Sequence, residues 1–258
     1  MRLHVVSDVH GSVQALARAG DGADALICLG DLILFLDYAD HSQGIFAEMF
    51  GEQAAAAYVA LRDSRDFDAA RAFSRRLWAG LDDDPWTVIE RHVSKQYAEL
   101  FAAMPTPAYL TYGNVDVPRL WPGHLRDGMH VLDGQTTRIG GLTFGFVGGG
   151  LQTPMRTPYE ISDQEYAAKI AALGAVDVLC THIPPAVPEL TYDVAARRFE
   201  RGSEATLEAI RATRPRMALF GHVHQPLFAR TRIGRTECVN VGHFRGTGVP
   251  YVLDVPDE

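Results

Sequence analysis

The chain has 258 residues, of which 47% are hydrophobic and 22% charged; this is enough apolar material for a sizeable core and too little charge for a disordered polyelectrolyte. With 24 Lys and Arg against 32 Asp and Glu, the net charge is −8, so no non-specific nucleic-acid partner is expected. No run of about 18 apolar residues occurs, so no membrane partner is expected either.

Residues 3–6 are the first of several short apolar runs that pass directly into Asp, Asn, His or Gly. This is the pattern of buried strands whose C-terminal ends carry polar groups. Ser12 follows as the N-cap of a helix reaching about Ala19, and residues 25–29 form the second strand. From 37 to 104 the strand signals stop. Apolar residues at helical spacing (Tyr58 with Leu61, Phe73 with Leu77, Tyr97 with Leu100 and Phe101) predict about three helices there. One is opened by Asp84 as N-cap with Pro85 at N1. No Pro/Gly/Ser-rich linker brackets this insertion, so it is expected to pack against the core. It leaves just after Asp31 and returns just before Asn114, which makes it an expected cap beside the cleft.

Strands resume at 108–112, 176–180 and 217–220. Gly140-Gly141 and Ile233-Gly234 predict hairpins joining 136–139 to 142–147 and 227–232 to 235–241. Ser162 with Glu165 forms a capping-box pattern, and Ser203 opens a helix that stops before Pro215. The whole reads as a single domain over 1–258, an α/β sandwich with a helical insertion at 37–104. Cys28, Cys180 and Cys238 lie in apolar runs outside any C-x-x-C pair. With no basic and apolar leader ahead of Val5, a cytoplasmic protein with reduced core cysteines is expected.

Five polar clusters stand at the strand ends: Asp8-Val9-His10, Gly30-Asp31, Gly113-Asn114, Thr181-His182 and Gly221-His222-Val223-His224. In an extended segment, residues i and i+2 point to the same side. Asp8 and His10 can therefore face one site with Val9 in the core, and His222 and His224 likewise over Val223. Together the clusters supply seven O and N donors, too many for one tetrahedral ion. Two ions sharing a carboxylate, with Asp31 as the natural bridge, fit the number. Imidazole and carboxylate donors without thiolate favour Mn²⁺, Fe²⁺/Fe³⁺ or Zn²⁺ over copper(I).

In this order and spacing the five blocks resemble the calcineurin-like metallophosphoesterases, over nearly the whole chain outside the insertion. The Thr181-His182-x-Pro-Pro run, Gly202-Ser203 and Asn240-Val-Gly resemble the small bacterial and archaeal branch related to the Icc phosphodiesterases. The resemblance implies a four-layer α-β-β-α sandwich of two mixed β-sheets flanked by helices. It implies that Asp8, His10, Asp31 and His224 hold one metal and that Asp31, Asn114, His182 and His222 hold the other, with Asp31, Asn114 and His224 in catalytic roles. Hydrolysis of a small phosphoester through a metal-bound hydroxide follows from such a pair.

The sequence departs from the family where many members have Gly-Asn-His-Asp/Glu. Here the segment is Gly113-Asn114-Val115-Asp116. Val115 cannot donate a proton, so phosphodiesters are expected over monoesters. The alternatives are a phosphomonoesterase or protein phosphatase, against which Val115 argues, and a protein-binding scaffold, against which the four retained imidazoles argue. No Gly-x-Ser-x-Gly or P-loop element supports another hydrolase class. Asn114 and His243 are expected to contact substrate, with His41 a further candidate. His4, His92, His124 and His130 are expected to be structural or exposed. Arg156, Arg201 and Arg245 are expected to be solvent-facing loop charges, and Gly148-Gly149-Gly150 a flexible strand exit.

Overall fold

The computed structural model describes residues 1–257 and divides into two compact units, Met1–Leu32 with Leu100–Glu258, and Ile33–Glu99. The chain opens with β1 (Arg2–Val6), α1 (Val13–Leu16) and β2 (Ala25–Cys28). Four helices follow, α2 (Ile45–Phe50), α3 (Glu52–Asp63), α4 (Phe67–Ala79) and α5 (Pro85–Ala103). Next come β3 (Ala108–Leu110), β4 (Met129–Val131), β5 (Gln135–Ile139), β6 (Leu142–Val147), and the short β7 (Gly150–Leu151) and β8 (Glu160–Ile161). The remainder is α6 (Asp163–Leu173), β9 (Val178–Thr181), α7 (Pro188–Thr191), β10 (Tyr192–Asp193), β11 (Arg198–Phe199), α8 (Glu204–Thr213), β12 (Met217–Phe220), β13 (Arg230–Ile233), β14 (Thr236–Asn240), α9 (Phe244–Thr247) and β15 (Tyr251–Asp254).

The larger unit holds two mixed sheets, ordered β15-β1-β2-β3-β4 and β13-β14-β12-β9-β6-β5. In the first sheet β1 to β4 run parallel and only the edge strand β15 is antiparallel, while in the second the central strands run parallel and both edge strands, β13 and β5, are antiparallel. Period-2 alternation sorts the side chains between layers. Leu3, Val5 and Ile27 of the first sheet form one buried cluster with Phe144, Phe146, Val178, Cys180, Leu219 and Val239 of the second. Leu179, Ala218 and Phe220 point the other way, against Tyr166 and Ile170 of α6 and Ile210 of α8. Each fully buried Phe here contributes about 1.5–3 kcal/mol of transfer free energy. On the first sheet's outer face, His4 Nδ1 meets Ala19 O at 2.8 Å.

Three expectations need correction. The helix after Ser12 is a single turn, Val13–Leu16, and Ser12 makes no side-chain cap bond. The amides of Arg18, Ala19 and Asp21 bond three residues back, to Ala15, Leu16 and Arg18, so the chain tightens into turns. The insertion holds four helices rather than three, because α2 spans six residues between Gly44 and Gly51, too few to show a 3.6-residue period. The late hairpin starts at Arg230 rather than at residue 227. Leu227 and Phe228 spend their amides on Tyr192 O and Glu189 O instead. The caps at Ser162, Ser203 and Asp84 form as expected, accepting from the amides of Glu165, Thr206 and Thr87.

The smaller unit has its own core, in which Phe46, Ala47 and Ala55 pack with Phe35, Phe50, Tyr58 and Leu77. Gln96 clasps the backbone of Leu34 through both its amide ends, at 2.9 and 3.1 Å. Among the described residues no helix is long and apolar enough to cross a membrane.

Candidate metal centre

Parallel pairing sets the C-terminal ends of β1, β2 and β3 along one edge of the first sheet and those of β9, β12 and β14 along one edge of the second. Open α/β sheets collect ligands at such edges. Asp8 and His10 follow β1, Asp31 follows β2, Asn114 follows β3, His182 follows β9, His222 and His224 follow β12, and His243 follows β14. Hydrogen bonds lock the loops to one another: Asp8 N donates to Gly30 O, His10 N to Asp31 O, and His222 N to Asp8 Oδ2 at 2.9 Å.

Val9 and Val223 are buried beneath their neighbours as expected, but strand alternation is not what turns the flanking side chains together. Asp8, His10, Asp31 and His222 have φ of 57°, 40°, 54° and 68°, in the left-handed region. These are four of the eight non-glycine residues with positive φ among those described, so backbone strain is concentrated here. The loops also approach closely. A Cβ on Gly113 would run into Asp31 Oδ1, and one on Gly221 into Ser7 Oγ and Asp8 Oδ2.

Two of the clusters that result share a carboxylate, each with its ligand-type atoms within 4.8 Å of one another: Asp8, His10 and Asp31, and Asp31, His182 and His222. Asp31 belongs to both. Its Oδ2 is 3.9 Å from His10 Nε2 and 3.4 Å from His182 Nε2, while Oδ1 accepts from Val115 N at 2.9 Å. His224 Nε2 lies 3.2 Å from His10 Nε2 and 3.4 Å from Asp8 Oδ1, and Asn114 Oδ1 lies 3.0 Å from His182 Nε2. All seven predicted donors are thus brought together.

The local chemistry fits cations. Asp8 Oδ1 is buried with no hydrogen-bond partner, an expensive state for a carboxylate oxygen. His182 Nδ1 meets Leu29 O at 2.9 Å, and donation there leaves the Nε2 lone pair of the neutral ring facing Asn114 Oδ1, acceptor against acceptor. Without an ion a proton fills that role. Burial opposes it, but the charge of Asp31 and a hydrogen bond to it hold His182 up at about 9. The same balance raises His224, where burial is outweighed by Asp8. Asp8 and Asp31, despite burial, are pulled below the usual carboxylate range by His224 and His182 respectively. Burial and the neighbouring His182 push His222 down to about 4. Imidazole, carboxylate and amide donors without thiolate suit manganese, iron or zinc.

His243 does reach the centre, in a form the sequence did not suggest. Its ring is parallel to that of His224 within 1°, centroids 4.0 Å apart. The His10, His224 and His243 nitrogens lie within 4.8 Å of one another, a third group of ligand-type atoms beside the two that share Asp31. Burial and His224 hold His243 down at about 4, so it stacks as a neutral ring.

Asp116, absent from the sequence-based site, ties the loops together. Its buried carboxylate accepts from Asp31 N, Leu32 N and Gly113 N at 2.9, 3.0 and 2.8 Å. Burial and the charge of Asp31 raise it to about 7. Arg245 is no loose surface charge: Nη1 donates to His10 O at 2.8 Å. Arg201 is exposed but engaged, donating to Gln152 O and to Asp163. His92 pairs with Glu48 at 3.0 Å, and His124 and His130 lie along the rings of Phe101 and Tyr109. Gly148-Gly149-Gly150 packs backbone against backbone and side chain, with Gly148 on Tyr112 and Gly150 on Asn114.

A family model for calcineurin-like phosphoesterases matches residues 1–226. Among solved structures, the crystal structure of TT1561 of Thermus thermophilus is similar in fold, with a TM-score of 0.52 at 13% identity over 98% of each chain. No curated protein matches the chain.

Proposed function

The chain belongs to the calcineurin-like phosphoesterases, and from that membership we propose a dinuclear phosphoester hydrolase that prefers small phosphodiesters to monoesters. The observation that carries the dinuclear reading is the presence of Asp31 in both clusters. Asp8, His10 and His224 would hold one ion with it, and Asn114, His182 and His222 the other. Two divalent ions there, manganese, iron or zinc, would lower the pKa of a water and neutralise phosphoryl charge.

The chain's own residues do the rest. Val115 N and the Asp116 clamp hold Asp31 and its loop in register. The His224 side chain is 40% exposed, making it the ligand closest to solvent and placing substrate entry on its side, with His243 beside it as a substrate contact. Val115 offers a backbone amide and an aliphatic side chain, neither able to protonate a departing oxygen at neutral pH. A leaving group stable as an anion therefore suits this site best.

A small substrate, and not nucleic acid, agrees with the net charge of −8. A cytoplasmic setting agrees with three free, buried cysteines. We read the chain as one catalytic domain whose insertion at 37–104, leaving after Asp31 and rejoining before Asn114 in sequence, influences substrate choice. The test restores Mn²⁺ to the metal-free protein and compares an activated aryl phosphodiester with the corresponding monoester at matched metal content. Faster turnover of the diester is expected; faster turnover of the monoester would overturn the diester reading.

A further inference from the structure

We propose that Thr157 and Glu160 fix the Asn114 amide with its oxygen turned toward the ion, as positioning residues for the His182 side of the centre; this rests on the reading of Asn114 and His182 as metal ligands. The two ends of an amide are nearly isosteric, and only Oδ1 can ligate a cation. A flipped Asn114 would present N–H groups to the ion.

The hydrogen bonds leave one orientation. Asn114 Nδ2 lies 3.0 Å from Thr157 Oγ1, and Thr157 Oγ1 lies 2.8 Å from Glu160 Oε1. An ionised carboxylate only accepts, so the single hydroxyl proton of Thr157 goes to Glu160. The hydroxyl then has lone pairs alone to offer Asn114, which must meet them with Nδ2–H. Oδ1 is left facing His182 Nε2.

Glu160 is itself held in place. Its Oε1 also accepts from Thr153 Oγ1 and its Oε2 from Thr153 N, both at 2.7 Å. The same loop grips the Asn114 main chain, whose carbonyl accepts from Tyr159 N at 2.8 Å. Gly150 completes the grip, since a Cβ there would stand 2.8 Å from Asn114 Cβ. Gly150, the last of the triple-glycine run, is thereby the close approach that brings the 150–161 loop onto the ligand.

The experiment titrates Mn²⁺ into the metal-free full-length protein against a chelating indicator, with the His182→Ala variant marking which binding step belongs to this side. Thr157→Val keeps the shape and removes the hydroxyl. It is expected to weaken that step by about 10–100-fold, the usual effect of losing a group that orients a ligand, and to leave the other step unchanged. Thr157→Ser is expected to bind like the wild type, and Glu160→Leu, which leaves the hydroxyl no acceptor and so no fixed direction for its proton, to bind weakly. Wild-type binding by Thr157→Val, or a Thr157→Ser variant as weak as Thr157→Val, would overturn the relay. Asn114→Ala separates the two ideas. If it leaves both steps intact, the assignment of Asn114 as a ligand fails; if it loses one step while Thr157→Val loses none, only the relay fails.

Discussion

The two sides of the centre share Asp31 and each carry two imidazoles, and they are held in different ways. His182 is fully buried, its ring pinned by Leu29 O on one edge and facing Asn114 and Asp31 on the other. His224 has a side chain 40% exposed and lies against the ring of His243. On the buried side His182, Asn114 and Asp31 are each fixed by a directional bond, from Leu29 O, Thr157 and Val115 N, so little rearrangement of these three is left for the moment of metal binding. On the open side His222 N holds Asp8, Arg245 ties down His10 O, and His224 has only its stack on His243. The two halves thus differ in the burial and anchoring of their most distal imidazoles.

The largest effect should come from disrupting the buried side. His182→Ala leaves the Asp31 carboxylate buried without its partner and is expected to destabilise the metal-free protein by about 3–5 kcal/mol. His224→Ala takes a partly exposed ring away from the buried Asp8 carboxylate and should cost less. Urea unfolding in the presence of chelator measures both, and equal losses would contradict the asymmetry. Restoring a proton donor is the next test. Val115→His should raise the monoester-to-diester rate ratio by at least about tenfold, a fraction of the ~10²–10⁴ that acid–base groups supply. An unchanged ratio would show that protonation comes from elsewhere.

The pH dependence of metal binding tests the protonation of His182. His182 keeps its proton up to about 9 in the metal-free protein, and an ion must displace it. Affinity on the buried side should therefore rise as pH increases, by about tenfold per unit for one released proton, and level off above about 9. His222, at about 4, is already neutral near pH 7 and adds nothing to that slope. Titrations from pH 6.5 upward would show it, and a flat profile would contradict a protonated His182. The smallest effect belongs to His243. Replacing it with Ala removes a ring contact typically contributing about 0.5–1.5 kcal/mol, so affinity on the open side should fall by about two- to tenfold, with His243→Phe near the wild type.

Much of this was readable in the chain. The short apolar runs ending in Asp, Asn, His or Gly marked the parallel strands, and Ser162, Ser203 and Asp84 marked their helices, because both signals are local. The donors themselves were readable as an ordered set. Their backbone was not: alternation along a strand predicted the right pairing of Asp8 with His10 for the wrong reason, since both lie beyond β1 with positive φ. Asp116 escaped notice because two of the amides it holds, on Asp31 and Leu32, are 85 and 84 residues away in sequence. The Thr157 to Glu160 relay and the His243 stack are likewise products of tertiary packing. Neither leaves a periodic or spacing signal.

Everything about the dinuclear reading turns on Asp31 being shared by two ions, and metal content decides that. Elemental analysis of Mn²⁺-restored wild type, Asp31→Ala and His222→Ala, each gel-filtered free of loose metal, should give about two ions per chain for the wild type. His222→Ala should retain about one, and Asp31→Ala less than either. If Asp31→Ala keeps as much metal as His222→Ala, Asp31 serves a single ion and the shared-carboxylate account is wrong.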